Sequence, residues 1–466
     1  MTQILEGVYT APVEVVDKKD GKIHLNIRIH VYNDGTSNNR TNTQSRLDNA
    51  EAYQILEKKK DSYENDFTNI ARMETYILGE PTPGYHHTLS VYVEGPGTSD
   101  DEADRTLGYG IGVGEAGIRS KVQRGLTKIV DKIVAELKAA YKGDKEIVID
   151  LLTVDLFGFS RGAAVARNMI HEALLGSRPL QVRLNEEKYK TYQVDICFVG
   201  LYDTVSSHGL FFLFNNDTQV LKLDAISQAE AVLQLVAADE HRKNFSLTDI
   251  RSAKVGREIY LPGAHSDIGG SYLDGAVEEQ IVYNGFKSDA EQDRAQLIAA
   301  GWYHTHEITL EQLANLNESP LPQARVKVRR PRSMHADRDD AARASLVLGG
   351  DPIPAPATET VGLPNQYHRI PLQIMARAAR EKGIVFNDKL FNKKEVIPEA
   401  LDGVKERIDN YIASAKGRES RADHWHHNEE WLRQLRHDYL HFSAQIEFGL
   451  GPRISKGKRQ RMTYAG

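Results

Sequence analysis

The stretch from residue 147 to residue 174 constrains the fold of this chain more than any other. Residues 147–157 are almost all apolar or β-branched, which is typical of a parallel strand buried on both faces. Residues 163–174 then repeat apolar side chains at helical spacing. Between the two patterns stands Gly158-Phe159-Ser160-Arg161-Gly162. The sequence therefore predicts a sharp turn from a strand into a helix, with Ser160 at its tip.

Glycine on both sides of Ser160 fits such a turn. A Cβ atom at Gly158 or Gly162 would clash with neighbouring backbone while the serine is held in a strained conformation. In a catalytic interpretation, the Ser160 hydroxyl projects from the top of the sheet as a nucleophile. A structural interpretation stays open, in which the two glycines only let a strand meet a helix closely.

Further strands alternate with helical patterns along the chain. Apolar segments predict strands at 25–32, 89–93, 194–202 and 258–261, and apolar residues at 118–137 form a long helical stripe. This alternation predicts an α/β fold with a mostly parallel sheet and helices on both faces. Polar residues follow the strands, and open α/β sheets bind ligands at that edge.

The pattern divides the chain into four segments. Residues 1–275 hold the predicted core with its strand-to-helix turn. Periodicity weakens over residues 276–365, which we interpret as an insertion or linker. Residues 366–445 favour a C-terminal helical segment that completes or caps the core. Residues 446–466 form a basic tail, in which residues 453–461 are predicted to be mobile.

Composition excludes several functional classes. A formal net charge of -6 gives no global attraction to nucleic acid. The single cysteine, Cys197, allows neither a disulfide within the chain nor a thiolate metal cluster. No basic start followed by an apolar core and no run of about 18 apolar residues is present, so we expect synthesis in the cytoplasm without a signal peptide. Action elsewhere would require a dedicated secretion system.

A serine hydroxyl becomes a good nucleophile only when a base takes its proton and a carboxylate orients that base. Asp203 and His265 each follow a predicted strand. The order Ser160, Asp203, His265 is the order that α/β-hydrolases use, and the spacing leaves room for a crossover and a return strand each time. The sequence therefore predicts these three residues as a catalytic triad.

Other residues compete for two of these roles. Asp155 is an alternative acid that we expect to face a neighbouring element, and Asp267 could instead fix the loop that carries His265. His441 is the alternative base, ranked second because the pattern at 425–445 places it on a helix rather than at a strand end. Asp203 and His265 could also be a helix cap and a turn histidine.

Acyl transfer needs two backbone N–H donors aimed at the oxyanion that forms on the carbonyl oxygen. Arg161, the residue after the nucleophile, would supply one donor. Gly35 or Thr36, in the loop after the first strand, would supply the other. Because Asp34-Gly35 is also a common hairpin turn, a structural interpretation of this loop stays open.

An apolar segment follows the Asp203 loop directly, and it consists of Leu210, Phe211, Phe212, Leu213 and Phe214. Its place near the predicted active-site edge suggests a lipid-facing lid or an acyl-chain groove. Burial in the core is the alternative.

Several histidines near the C-terminus have a spacing that metal sites use: His424, His426, His427, His437 and His441. No cysteine supports a metal site there. We interpret these histidines as solvated helix faces and predict neither a metal nor a cofactor.

Five motifs resemble those of a known family: Tyr32-Asn33-Asp34-Gly35-Thr36 with Asn38-Asn39, residues 158–164, Asp203-Thr204-Val205, Asp239-Glu240-His241-Arg242, and residues 262–270. Taken together they resemble the bacterial type VI secretion lipase effectors, within a broader α/β-hydrolase family. The resemblance covers residues 25–275 and returns weakly at Ile370-Pro371-Leu372 and 435–443.

The resemblance implies an α/β-hydrolase-like fold and a phospholipase A-type activity on bacterial phospholipid membranes. It implies that Ser160 is the nucleophile, Asp203 the acid and His265 the base. Delivery to the target-cell periplasm by a secretion spike protein, and an immunity protein that guards the producer, follow from the same resemblance. Two other hypotheses remain: a soluble esterase or thioesterase with small substrates, and a non-catalytic binding module on the hydrolase fold.

Overall fold

The structure is a computed structural model, which describes residues 20–55, 62–79, 82–104, 117–207, 218–313, 322–330, 362–418, 420–446, 450–455 and 457–466. Its strands are β1 (Ile23–Asn33), β2 (His87–Val93), β3 (Ile147–Phe159), β4 (Lys190–Tyr202), β5 (Ala231–Ala237), β6 (Leu247–Thr248), β7 (Gly256–Leu261), β8 (Glu278–Phe286), β9 (Ile308–Leu313), β10 (Gln323–Arg330), β11 (Ile454–Ser455), β12 (Lys458–Arg459) and β13 (Thr463–Tyr464).

The α-helices are α1 (Arg40–Leu47), α2 (Glu51–Ile55), α3 (Asn69–Thr75), α4 (Ile118–Ala140), α5 (Arg161–Leu174), α6 (Leu180–Glu186), α7 (His265–Gly269), α8 (Lys287–Ala299), α9 (Arg369–Glu381), α10 (Asp388–Lys394), α11 (Asp402–Ala413), α12 (Ala415–Arg418) and α13 (Glu430–Asp438). Short 3₁₀ turns lie at Leu223–Gln228, Gln366–His368, Glu399–Leu401 and Ala422–Trp425. Among these helices we find no apolar segment of bilayer-spanning length.

A six-stranded sheet forms the centre, in the order β2-β1-β3-β4-β5-β7, and every neighbouring pair is parallel. Helices α4, α5 and α6 pack on one face in a hydrophobic cluster. Helices α3 and α9 pack on the other face. The side chains of β3 alternate between the two clusters, because successive residues of a strand point to opposite faces. The predicted fold class is therefore confirmed, including the C-terminal helices that pack on the sheet.

Strand β5 is the one central strand that the sequence analysis does not predict. All of its residues are buried, and only Gln234 among them is polar. It lies between β4 and β7, so the strands that precede Asp203 and His265 are not neighbours. The backbone of β5 nevertheless supports the site, since Asp203 donates its N–H to the Leu235 carbonyl at 2.8 Å.

Part of the segment interpreted as an insertion or linker is folded. Strands β8, β9 and β10 form an antiparallel sheet in the order β8-β10-β9, and α8 packs beside it. Arg330 at the end of β10 is buried, and its Nη1 donates to the carbonyls of Arg436 in α13 and Leu440 in the loop beyond it, at 2.9 and 3.1 Å. This small sheet thus joins the body of the molecule over its described residues.

Residues 457–466 of the C-terminal tail are ordered, so the prediction that residues 453–461 are mobile is wrong for residues 457–461. Strand β13 pairs with β6 in parallel. Arg459 donates to both carboxylate oxygens of Asp293, at 2.9 and 2.8 Å. Arg459, one of the basic residues that suggest a solvated tail, instead has a buried acidic partner.

Candidate active site

Ser160 lies where β3 turns into α5. Its backbone has φ 58° and ψ -126°, a conformation that strains any residue with a Cβ atom. Ser160 donates its N–H to the Tyr202 carbonyl at 3.0 Å, and Val205 donates to the Ser160 carbonyl at 3.3 Å. The end of β4 therefore holds the strained serine in place, in the geometry of a nucleophile elbow.

Close backbone contacts explain the two glycines beside Ser160. A Cβ atom at Gly158 would lie 2.5 Å from the Ala163 Cα, and one at Gly162 would lie 2.2 Å from the Asp34 carbonyl oxygen. Both neighbours are backbone atoms, so neither can move aside cheaply. The contact at Gly162 also brings the loop after β1 against the start of the elbow helix α5.

The structure brings Asp203 and His265 together. Asp203 follows β4, His265 begins α7, and the His265 Nδ1 lies 2.5 Å from the Asp203 Oδ2. Both side chains are buried. The His265 ring packs against the ring of Phe159, at 4.6 Å between centroids, which places the imidazole beside the residue that precedes Ser160. With Nδ1 bound to a carboxylate, the other nitrogen of the imidazole is the one available to a nucleophile.

Three carboxylates hold the turn that carries His265. The buried Glu240 accepts the His265 backbone N–H at 3.3 Å. Asp239 and Asp267 accept two further backbone N–H groups of this turn, at 2.8 and 2.9 Å. Asp239 and Glu240 belong to one of the motifs that carry the family resemblance, but the sequence pattern alone gives them no role. In the structure they hold the backbone of the turn from which the imidazole projects.

Arg461 is the residue of this site that the sequence analysis missed. Its Nη1 donates to the Asp203 Oδ1 at 2.6 Å and its Nη2 to the Asp203 Oδ2 at 2.8 Å. Burial alone would raise the pKa of Asp203, but Arg461 and His265 together hold that pKa below its usual value. Burial also lowers the pKa of His265, against the opposing effect of Asp203. A neutral imidazole is the state that a general base needs.

The loop after β1 is held by the carboxylate of Asp34. Asp34 accepts hydrogen bonds from the Thr68 hydroxyl at 2.8 Å, the Tyr92 hydroxyl at 2.6 Å and the Gly35 N–H at 2.7 Å. Burial raises the pKa of Asp34 to about 6, although these three donors oppose the shift. The position of the loop is thus fixed by buried hydrogen bonds.

This geometry bears on the predicted oxyanion donors. The Gly35 N–H is engaged by Asp34, which favours Thr36 as the donor from this loop. Arg161 is the first residue of α5 and directly follows Ser160. Burial lowers the pKa of the Arg161 side chain to about 10. The roles of Arg161, Gly35 and Thr36 stay predictions.

Asp155, one of the competing acids, lies inside the sheet. It accepts from the Arg28 Nε at 2.7 Å and bonds the His30 Nδ1 at 2.9 Å, and both partners are on the adjacent strand β1. Asp155 therefore faces a neighbouring element, as predicted.

His441, the competing base, is not on a helix, so that part of the prediction is wrong. Helix α13 ends at Asp438, and His441 lies in the loop beyond it. Its Nδ1 bonds the Asp267 Oδ1 at 2.9 Å, and its ring stacks on Tyr272 at 3.9 Å. Its Nε2 is buried and has no hydrogen-bond partner within the described part of the chain. Asp267 thus supports the His265 turn and also pairs with His441.

The histidines interpreted as solvated helix faces do not behave alike. His441 is buried, and His437 bonds Asp438 at 2.7 Å and Glu307 at 3.1 Å, so the solvated interpretation is wrong for these two. His304, Glu307 and His437 lie close enough to offer ligand atoms to a metal ion. The two carboxylates, however, raise the pKa of His437 to about 9 against the effect of burial. The protonated imidazole forms an ion pair with both carboxylates.

A cavity of about 580 Å³ opens elsewhere, lined in part by α1, α3 and α10. Its walls include Arg40, Phe67 and Arg72, but not Ser160, Asp203 or His265. The predicted lid, Leu210 to Phe214, lies outside the described residues.

Comparison with known proteins adds to this geometry. The family model described as "T6SS, Phospholipase effector Tle1-like, catalytic domain" matches residues 176–287, a stretch that contains Asp203 and His265. The predicted resemblance to the type VI secretion lipase effectors is confirmed. No curated protein matches the chain.

Solved structures extend the comparison to the fold. The chain is similar to the structure of the Tle1 effector bound to the VgrG spike of the type VI secretion system, with 22% identity and a TM-score of 0.60. The match covers 94% of this chain and 88% of the other, and at this identity it shows the fold. An uncharacterized protein from Pseudomonas aeruginosa matches with 18% identity, 54% coverage of this chain, 42% coverage of the other and a TM-score of 0.35.

Proposed function

We propose that the protein is a serine esterase of the phospholipase A type, which cleaves carboxylic ester bonds of bacterial phospholipids. The observation that carries the proposal is the 2.5 Å bond between His265 and Asp203, with the His265 ring packed against Phe159, the residue before the strained Ser160. The match to a phospholipase effector domain supports a lipid as the substrate.

In this proposal Asp203 keeps the proton of neutral His265 on Nδ1, so that Nε2 accepts the proton of the Ser160 hydroxyl. The serine oxygen attacks the ester carbonyl carbon, and a tetrahedral intermediate forms. When that intermediate collapses, the bond to the lysophospholipid alkoxide breaks, and His265 returns its proton to the departing oxygen. Water, activated by the same imidazole, then releases the fatty acid from Ser160.

The oxyanion of the intermediate would accept hydrogen bonds from the N–H groups of Arg161 and Thr36. Thr36 is the better second donor because Asp34 engages the Gly35 N–H. Loss of one such donor lowers kcat by about 10²- to 10³-fold in serine hydrolases. The buried network around Asp34 would serve to hold the loop at the right distance.

We also propose that a type VI secretion system delivers the protein as an antibacterial toxin. The similar effector structure was solved bound to a VgrG spike, and the match covers 94% of this chain. A spike protein would carry the enzyme to the target-cell periplasm, and an immunity protein would protect the producer. In this setting, Leu210 to Phe214 would act as the lipid-facing lid.

The test is fatty-acid release from phospholipid vesicles labelled separately on each acyl chain. We compare the wild type with Ser160→Ala and with Ser252→Ala, whose hydroxyl is also buried and has no partner among the described residues. Release by the wild type and by Ser252→Ala, but not by Ser160→Ala, is the expected result. The label that is released gives the positional preference.

Two other outcomes favour the other hypotheses. Turnover of a short soluble ester without release from vesicles would identify a small-substrate esterase. If an active-site serine probe labels the wild type no more than Ser160→Ala, the protein is a non-catalytic binding module.

A further inference from the structure

The guanidinium of Arg461 contacts both oxygens of the Asp203 carboxylate. Two parallel hydrogen bonds join it to both carboxylate oxygens, at 2.6 and 2.8 Å. Its Nε donates to the Phe245 carbonyl at 2.7 Å, so the plane of the guanidinium is fixed on a third side. The arginine side chain is 9% exposed and the Asp203 side chain is fully buried. A planar fork of this kind holds a carboxylate in one orientation.

The backbone of Arg461 is anchored on both sides. Before it, β12 pairs with β11 in an antiparallel turn. After it, Leu247 donates its N–H to the Met462 carbonyl at 2.8 Å, and β13 pairs with β6. The position of Arg461 is therefore set by the tail as a whole and not by the ion pair alone.

We propose that Arg461 is a positioning residue for the esterase reaction. It fixes the Asp203 carboxylate in the orientation that receives the His265 Nδ1–H, and its charge moderates how strongly that carboxylate attracts a proton to the imidazole. The inference rests on the proposed function, and it makes the segment around β13 part of the catalytic site.

The other groups around Asp203 and Arg461 show why the positioning role is assigned to Arg461. Apart from Arg461 and His265, the Asp203 carboxylate accepts the Ala237 N–H at 3.0 Å. In the described part of the chain, Tyr260, Glu240 and Arg242 are further charged or titratable groups that interact with the pair. Glu240 and Arg242 pair with each other at 2.8 Å, so Arg461 is the described cation in contact with Asp203.

Removal of the Arg461 charge should change the pKa of His265 in one direction. Without Arg461, no contacting cation would offset the negative charge of Asp203. A carboxylate whose charge is not offset favours the protonated form of the adjacent imidazole. The pKa of His265 would rise, and less of the base would be neutral at a given pH. The acid limb of the kcat/KM profile would therefore move to higher pH.

The experiment compares Arg461→Met, Arg461→Lys and Arg459→Met in the full chain. Arg459 is a matched control because it also forms a bidentate pair with a buried carboxylate in the same tail, that of Asp293. We measure kcat and KM for vesicle hydrolysis across pH, and we follow the His265 imidazole by NMR titration. Folding of each variant is checked by thermal unfolding.

For Arg461→Met we expect kcat to fall about 10²-fold with little change in KM, because a misplaced catalytic group costs about that much. The acid limb and the His265 titration should both move up by about one pH unit. Arg461→Lys keeps the positive charge but cannot form the two parallel hydrogen bonds to Asp203. Its kcat should therefore fall, while the acid limb of its kcat/KM profile stays in place. Arg459→Met should match the wild type in kcat and in the position of the acid limb.

An unmoved acid limb and an unmoved imidazole titration in a folded Arg461→Met protein would overturn the inference. So would an equal loss of kcat in Arg459→Met, because that result indicates a purely structural role. If Arg461→Met does not fold, a wild-type kcat in Arg461→Lys overturns it instead. Failure of the proposed function is distinguishable, since the wild type would then release no fatty acid while the NMR titration still reports on Arg461.

Discussion

Two buried His–Asp pairs lie within the same part of the molecule, and they differ in what surrounds them. In both pairs the imidazole Nδ1 bonds a carboxylate, at 2.5 Å for His265 with Asp203 and 2.9 Å for His441 with Asp267. Both pairs are also buried. By distance and burial alone, either pair could belong to a catalytic triad.

The two pairs differ in the groups that contact their carboxylates. Asp203 carries the cation Arg461 behind it, and its pKa lies below the usual value despite burial. Asp267 accepts the N–H groups of Ala264 and His441, and burial raises its pKa. The geometry thus favours a charged carboxylate at Asp203, while burial at Asp267 disfavours one. A charged carboxylate is what stabilises the imidazolium that forms during acyl transfer.

The neighbours of the two imidazoles separate the pairs as well. His265 packs on Phe159, the residue before Ser160, whereas the His441 ring stacks on Tyr272. A third pair, His30 with Asp155, lies inside the sheet between two strands. A buried His–Asp bond is therefore no sign of catalysis in this fold. The His265–Asp203 pair is distinguished by the contact of its imidazole with Phe159, the residue before the strained Ser160.

Removal of each imidazole should give the largest contrast. His265→Ala is expected to lower kcat on phospholipid vesicles by about 10⁴-fold or more, because the general base is lost. His441→Ala should lower it by at most about tenfold, and should cost about 1–3 kcal/mol of stability because Asp267 loses a buried hydrogen-bond partner. Initial rates and urea unfolding measure the two effects. Activity that survives in His265→Ala but disappears in His441→Ala would reverse the assignment of the base.

Substitution of each carboxylate should give a smaller contrast of the same kind. Asp203→Asn is expected to lower kcat by about 10³- to 10⁴-fold with the fold retained, since an amide no longer selects the required imidazole tautomer. Asp267→Asn should lower kcat far less, about tenfold, through a looser His265 turn. Steady-state kinetics on vesicles, with circular dichroism as the folding control, tests this. Equal losses in the two variants would contradict the distinction between the pairs.

The two carboxylates should also contribute to stability with opposite pH dependence. Asp203 has a folded-state pKa below 3.8, so its contribution is present above that pH and lost as the pH falls. Asp267 has a folded-state pKa above 3.8, so its contribution is present below that pH and lost as the pH rises. We expect the stability difference between wild type and Asp203→Asn to shrink on acidification, and that for Asp267→Asn to shrink on raising the pH. Denaturant unfolding from about pH 3 to about pH 7 measures both, and parallel curves would refute the contrast.

The sequence predicts the fold well because buried parallel strands are apolar almost throughout. The strand-to-helix turn at Ser160 is readable for a local reason, since glycine on both sides is required by backbone contacts within a few residues or with the adjacent β1 loop. Asp203 and His265 can be predicted as site residues because each follows an apolar segment that predicts a strand. Strand β5 carries the same kind of signal, an apolar run interrupted only by Gln234, and could have been predicted from it.

The remaining parts of the site depend on contacts that no local pattern encodes. Arg461 is 258 residues from Asp203, and a basic run near a terminus is typical of a solvated tail. The helical pattern near His441 ends early because the His441 N–H bonds the Asp267 carboxylate instead of a carbonyl of the preceding turn. In both places a distant buried acidic group decides the local structure.

The aromatic neighbours of the two imidazoles should show the smallest contrast. Phe245 meets the His265 ring edge-on at 5.0 Å and lies under the Arg242 guanidinium at 3.4 Å, so Phe245→Leu should lower kcat several-fold by loosening the imidazole. Tyr272→Leu removes the stacked ring from His441 and should cost about 1 kcal/mol of stability with little change in kcat. Kinetics and urea unfolding of both variants provide the comparison. If Tyr272→Leu lowers kcat more than Phe245→Leu does, the His441 pair takes part in turnover after all, and the division between the two pairs fails.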